Sequence, residues 1–113
     1  MTGEHTDEFL EKAIESEYDH CVTKHGGFKN HHEAYGVMLE EMEEVQDAAE
    51  LFNGRAMKNL NALWLKVKDD DMTGADECIK AIYDTAEEMA KECIQVMAMC
   101  WKWNDLLEKE NEA

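Results

Sequence analysis

The stretch that decides the fold is Asn30–Phe52, NHHEAYGVMLEEMEEVQDAAELF. Tyr35, Met38, Met42, Val45, Ala49 and Phe52 recur at alternating spacings of three and four, the period of a helix with one apolar face. Asn30 with Glu33 three residues later is a capping-box signature, so the helix begins there. Asn53-Gly54 predicts its end.

Outward from this helix the same grammar repeats. Upstream, Leu10, Ile14, Tyr18 and Cys21 form one stripe of a helix expected from Thr6 to His25, closed by Gly26-Gly27. Downstream, Met57, Leu60, Leu63, Trp64 and Val67 predict a third helix over Arg55–Lys68. Asp69-Asp70-Asp71 and Thr73-Gly74 form the next turn, with Thr73 and Asp76 positioned to cap a long fourth helix, Ala75–Glu108. Its expected stripe is Ile79, Ile82, Ala86, Met89, Cys93, Val96, Cys100, Trp103 and Leu107, and the acidic residues after it are expected to fray. No proline interrupts any helix and no internal repeat appears. The 113 residues predict one all-α domain, 1–113. A core this modest, with Ile94, Met97 and Trp101 widening the last stripe, predicts a homodimer at least.

Composition narrows the function. The formal net charge is −16, from 27 acidic and 11 basic residues. Such a surface repels nucleic-acid phosphates and anionic lipid, and it suits divalent cations instead. No apolar run approaches the roughly 20 residues of a membrane span, and no signal peptide is recognisable, so the expected compartment is the cytoplasm. Cys21, Cys78, Cys93 and Cys100 form no CxxC pair, and the expectation is free thiols. No GxSxG, P-loop or GxGxxG motif is present.

The densest chemical signal is Glu40, Glu41, Glu43 and Glu44, in LEEMEE. Such a run is an ordinary solvated face unless geometry singles out some of its members. At about 100° per residue, Glu41 lies beside the apolar stripe and Glu44 shares its flank, whereas Glu40 and Glu43 point outward. The fourth helix repeats the pattern: Glu92 precedes Cys93, Gln95 follows three residues later, and Glu88 sits one turn earlier. If the two helices pack side by side, these flanks converge on one cation, and all-oxygen donors suit Mg²⁺ or Mn²⁺.

Other sites fit less well. A single ExxH, Glu17 to His20, is half of a di-iron pattern, and His32-Glu33 lacks the second histidine of HExxH. The histidines (His5, His20, His25, His31 and His32) show no zinc spacing. Asp69, Asp71, Thr73 and Gly74 imitate the start of a calcium loop, but its closing glutamate position holds Lys80. Gly36 inside the second helix suggests close approach of a backbone or a ligand.

Two segments, HHEAYGVMLEEMEE at His31–Glu44 and AKECIQVMAMCWKW at Ala90–Trp103, resemble the MazG-like all-α nucleoside triphosphate pyrophosphatases, particularly the short phage and bacterial forms. Those forms often read HEAYxVxLEELxE and EAxQVAAMAxKF, and LNALWLKVKDDD between them is also similar. Together these segments cover about a third of the chain. The resemblance implies a four-helix-bundle-like fold, a homodimer or homotetramer, and cleavage of a nucleoside triphosphate to monophosphate and pyrophosphate. It implies Mg²⁺, or Mn²⁺, on Glu41, Glu44 and Glu92, with Gln95 where the wider superfamily has Asp. A carboxylate, Glu40 or Glu44, would orient or deprotonate water. Lys91, Lys102 and Trp101 are candidate substrate contacts, as are Lys24 and Lys29. The alternative is a non-catalytic module of the same fold that binds a nucleotide or a protein.

Overall fold

The structure, a computed structural model, describes residues 7–112, and these are all-helical without strands. The helices are α1 (Glu8–His25), α2 (His31–Leu51), α3 (Met57–Lys68) and α4 (Met72–Glu112). Thr6, the expected start of the first helix, and His5 lie outside the described residues.

Local hydrogen bonding sets most boundaries. Asp7 caps α1, its carboxylate accepting from the N–H groups of Phe9 at 2.9 Å and Leu10 at 3.3 Å. Gly26, at φ +73°, ends α1 by donating its N–H to Val22 O. Asn30 Oδ1 accepts from Glu33 N–H at 2.9 Å, so Asn30 caps α2 as expected, while Glu33 reaches back one residue beyond the capping-box position, to Lys29 N–H at 3.3 Å.

The expected stop at Asn53-Gly54 is not a stop. Residues Phe52–Ala56 form one π-helical turn that joins α2 to α3, and the flanking Leu51 and Met57 both keep right-handed helical dihedrals. A π turn absorbs an extra residue without breaking the rod, and Asn59 Nδ2 donates to the Arg55 carbonyl at 2.8 Å. The Gly penalty of about 1 kcal/mol is too small to break a helix held on both sides. The beginning of α4 also differs. It starts at Met72, and its cap is Asp71, whose carboxylate accepts from Gly74 N–H at 2.9 Å; Thr73 lies inside the first turn. Lys66 pairs with Asp71 at 3.6 Å, and Asp70 adopts φ +53°, so Asp69–Asp71 is a tight interhelical turn. At the other end α4 runs on to Glu112 through the residues expected to fray.

The chain packs as two compact units, one taking residues up to Glu43 and from Cys93 on, the other Glu44–Glu92. In the first, Ile14, Phe28, Ala34, Ala98 and Met99 form the core, with Leu10, Tyr18, Ile94, Met97 and Trp101 packed against it. Tyr18 donates its hydroxyl to Asp105 and meets the Trp101 ring edge-on at 5.8 Å. That hydrogen bond, followed by burial, pushes the Tyr18 phenol up to about 12. Trp103 Nε1–H donates to His31 Nδ1 at 2.9 Å, and the other ring nitrogen of His31 meets Glu110. In the second unit the buried positions are Ala48, Ala56, Ala75, Cys78 and Thr85, the threonine hydroxyl donating to the Ala81 and Ile82 carbonyls.

The buried stripes are rotated from their expected phase. On α2 the buried residues are Ala34 and Ala48, while Tyr35 and Met42 are exposed. On α4, Cys78 and Met99 are buried, while Ile79 and Leu107 are exposed. Small side chains let helix axes approach closely, so the alanine-bearing side turns inward and neighbouring bulky residues remain outside. The α3 stripe is likewise largely exposed at Met57, Leu60, Trp64 and Val67. Ile94, Met97 and Trp101, expected to widen a subunit interface, instead pack within the first unit.

The glycines test these local assignments. A methyl group at Gly54 meets nothing within 4 Å, whereas one at Gly74 lies 2.5 Å from the Asp71 carboxylate and 2.8 Å from Lys66 Cδ. Gly36 too has open space around it, so no other segment among the described residues makes a close approach there. Gly54→Ala is expected to stabilise the fold by about 0.5–1 kcal/mol through helix propensity. Gly74→Ala is expected to destabilise it by displacing the Asp71 cap, by about 1 kcal/mol. Urea melts of both variants check this, and a destabilising Gly54→Ala would contradict a continuous α2–α3 rod.

Candidate metal centre

Helical register carries two carboxylates onto buried rows. On α2, Ala34, Glu41 and Ala48 are seven residues apart, two turns each, and both alanines are buried. On α4, Cys78, Thr85, Glu92 and Met99 form a second such row, with all but Glu92 buried. Glu41 and Glu92 are accordingly half-buried, and Glu44, one turn after Glu41, is exposed. One carboxylate oxygen from each of Glu41, Glu44 and Glu92 comes within 4.8 Å of the others, and this is the one such group of potential ligands among the described residues.

The donor chemistry and spacing fit a small hard cation. An octahedral Mg²⁺ holds its oxygens at about 2.1 Å, so its ligands stand at most ~4.2 Å apart. Small side-chain rotations would bring the three oxygens into that range. Three carboxylates would fill half of an octahedron, leaving positions for water and substrate oxygens.

The remaining predicted residues fall in several places. Gln95 is half-buried and lines a cavity of ≈ 370 Å³ in the first unit, together with Glu17, Cys21, Glu41, Met99 and Lys102. Glu40 and Glu43 are exposed, as the outward placement predicts. Glu88 lines a recess of ≈ 260 Å³ in the second unit with Glu44, Asp47 and Glu92. Asp47 was not singled out by periodicity, although its position three residues after Glu44 was a usable signal. Lys91 is exposed and paired with Glu87 at 3.5 Å. Trp101 is half-buried in the edge-on contact with Tyr18. Lys24 and Lys29 are exposed.

Cys21 and Cys100 are not activated nucleophiles. Burial pushes the Cys21 thiol up, and the Glu17 carboxylate, which accepts from Sγ at 3.4 Å, raises it further; burial alone raises Cys100. Hard oxygen chemistry, not thiolate chemistry, is what these side chains support.

Comparison with known protein families, characterised proteins and solved structures returned no match.

Crowding three carboxylates has a measurable cost. Two unit charges 4.8 Å apart repel by about 1 kcal/mol in water and ~3 kcal/mol in the partly screened setting of a protein surface. Glu41→Gln keeps bulk and hydrogen-bonding capacity while removing one charge. In chelator-treated protein it is expected to raise the melting temperature by a few degrees. A lowered melting temperature would mean that the cluster is not electrostatically strained.

Proposed function

We propose that this chain is a Mg²⁺-dependent nucleoside triphosphate pyrophosphatase of the MazG-like type, acting as a homodimer or larger homo-oligomer. The observation that carries the proposal is the convergence of Glu41, Glu44 and Glu92 on one point. These residues belong to the EExxE segment on α2 and the ExxQ segment on α4, the two segments whose resemblance to that family suggested the activity. Glu41, Glu44 and Glu92 would hold the metal, with Gln95 supplying a neutral amide oxygen. When bound, Mg²⁺ supplies charge stabilisation at phosphoryl oxygens and activation of water. Half-burial of Glu41 and Glu92 restricts their rotamers and limits competing water, which favours a fixed ligand geometry. Glu44, the exposed member, is placed to orient the attacking water or take its proton, and Glu40 supports it from the preceding turn.

Two further observations bear on the proposal. Met57, Leu60, Trp64, Leu65, Ile79 and Tyr83, all of the second unit, leave a large apolar area exposed, which favours self-association. Gln95 in place of an acidic residue favours the second reading, a non-catalytic nucleotide- or protein-binding module of the same fold. An amide keeps a ligand oxygen but withholds one negative charge from the metal.

Two experiments test these statements. With Mg²⁺ and a panel of nucleoside triphosphates, the protein is expected to release pyrophosphate, and Glu41→Gln to lower that rate about a hundredfold or more. Mg²⁺ is expected to raise the melting temperature of the parent, to do so less for Glu41→Gln, and to do so more for Gln95→Asp. Identical Mg²⁺ responses in all three proteins would sink the metal centre, and specific Mg²⁺ binding without turnover would select the binding module. Sedimentation at tens of micromolar is expected to show a dimer or larger species, with Trp64→Glu shifting it toward monomer; a monomeric parent would refute the assembly.

A further inference from the structure

The second unit leaves a regular stripe of α4 uncovered. Met72, Asp76, Ile79, Tyr83, Ala86 and Ala90 are all exposed. Their spacings alternate four and three, the heptad seam by which one helix packs along another. Ala75, Cys78 and Thr85 on a different face of the same helix are buried, so the stripe is a second apolar face and not the edge of the first. Tyr83 is 65 % exposed and Ile79 53 %, which leaves its two largest side chains in water. At about 100° per residue, Glu77, Asp84 and Glu88 point away from the stripe, while Lys80 and Glu87 share one flank of it.

The period does not choose an occupant, but the order of the side chains does. Two copies of the stripe can be laid antiparallel about a two-fold axis that passes between Tyr83 and Ala86. Ile79 then lies opposite Ala90 of the second copy, and Tyr83 opposite its Ala86, each pair occurring twice. Large against small fills such a seam with neither clash nor void. Lys80 and Glu87 fall on either side of the axis, so each lysine meets the glutamate of the other copy. Within one chain they stand two turns apart, held by Asp76 at 2.9 Å and Lys91 at 3.5 Å respectively. Exposed pairs of this kind are weak and readily rearranged. A parallel arrangement would instead set Lys80 beside Lys80 and Tyr83 beside Tyr83. The exposed face of α3 lacks this self-complementarity: residues 52–68 include Arg55, Lys58, Lys66 and Lys68 and no acidic residue, so α3 against its own copy would gather like charges.

We infer that this stripe is a dimer seam, with α4 of one copy packed antiparallel on α4 of a second between residues 72 and 90. The inference gives the self-association proposed above a surface and an axis. It draws on neither the metal centre nor a nucleotide.

The test is charge reversal followed by rescue. Sedimentation of the full chain at tens of micromolar compares the parent with Lys80→Glu, Glu87→Lys and the double variant. Each single reversal turns two attractive contacts into two repulsive ones and is expected to weaken the dimer about tenfold. The double variant restores both contacts across the axis and is expected to return to within about threefold of the parent. Effects inside one chain cannot produce that rescue, because positions 80 and 87 do not touch there. Ala86→Glu, which sets a charge against Tyr83 of the second copy, is expected to give monomer. A second readout is the disulfide formed on oxidising a variant that carries both Ile79→Cys and Ala90→Cys. In one helix these positions are about 16 Å apart, too far for a disulfide, so the expected bond joins position 79 of one copy to position 90 of the other.

A monomeric parent, single reversals that dimerise as well as the parent, a double variant no better than the singles, or disulfides that join like positions would each overturn the inference. A dimer that resists every α4 substitution and dissociates on Trp64→Glu would also overturn it, moving the contact to α3 while leaving self-association intact.

Discussion

Alanine at the buried positions is the constraint on which the rest depends. Ala34, Ala98, Ala48, Ala56 and Ala75 occupy sites where leucine or isoleucine would usually fill a helical core. Small residues permit close helix approach but bury little apolar area each. Most bulky side chains therefore fall beside the contact rows, and many of them stay exposed. The same geometry explains why long polar residues can share those rows. A glutamate or lysine between small neighbours has room to extend its stem along the packed surface and to present its head to a recess.

Charge is then distributed in a way that average composition conceals. Most of the 27 acidic residues are solvated, and ion pairs such as Lys80–Asp76 and Lys91–Glu87 are exposed i,i+4 contacts of little energetic weight. Glu41, Glu92 and Lys102 differ because partial or full burial raises the stakes of every interaction they make. Glu41 and Glu92 are drawn together with Glu44, whereas Lys102 is set over a ring in a cavity. Carboxylates drawn together repel one another, and a cation that binds only the folded state offsets that repulsion. Residues that serve only the fold need no such compensation: Thr85 is buried and fully bonded to its own helix.

Helix identity and several boundaries were determined by the sequence alone. Asn30 with Glu33 and the glycine at position 26 act through hydrogen bonds within a few residues, and those bonds form in the folded chain. Asn53-Gly54 misled because a turn signal is a preference of about 1 kcal/mol, which continuous packing on both sides exceeds. Thr73 misled for a related reason: Asp71, two residues earlier, is the better-placed acceptor once the turn closes on Lys66.

The carboxylate trio was legible as a flank, since three-and-four spacing places Glu41 with Glu44 and Glu92 with Gln95 whatever the neighbours are. What only tertiary structure decided was phase and depth. Hydropathy reports the period of a helix faithfully, but on a broad apolar face it cannot say which row makes contact, and it favours bulky residues over alanine. The rotation toward alanine moved Glu41 and Glu92 from the rim of the stripe onto its rows. It also buried Lys102, which no periodic pattern distinguishes from the exposed Lys91. Period is a property of the backbone and travels with the sequence. Burial depends on how closely another helix can come, and that distance exists only once the helices have packed.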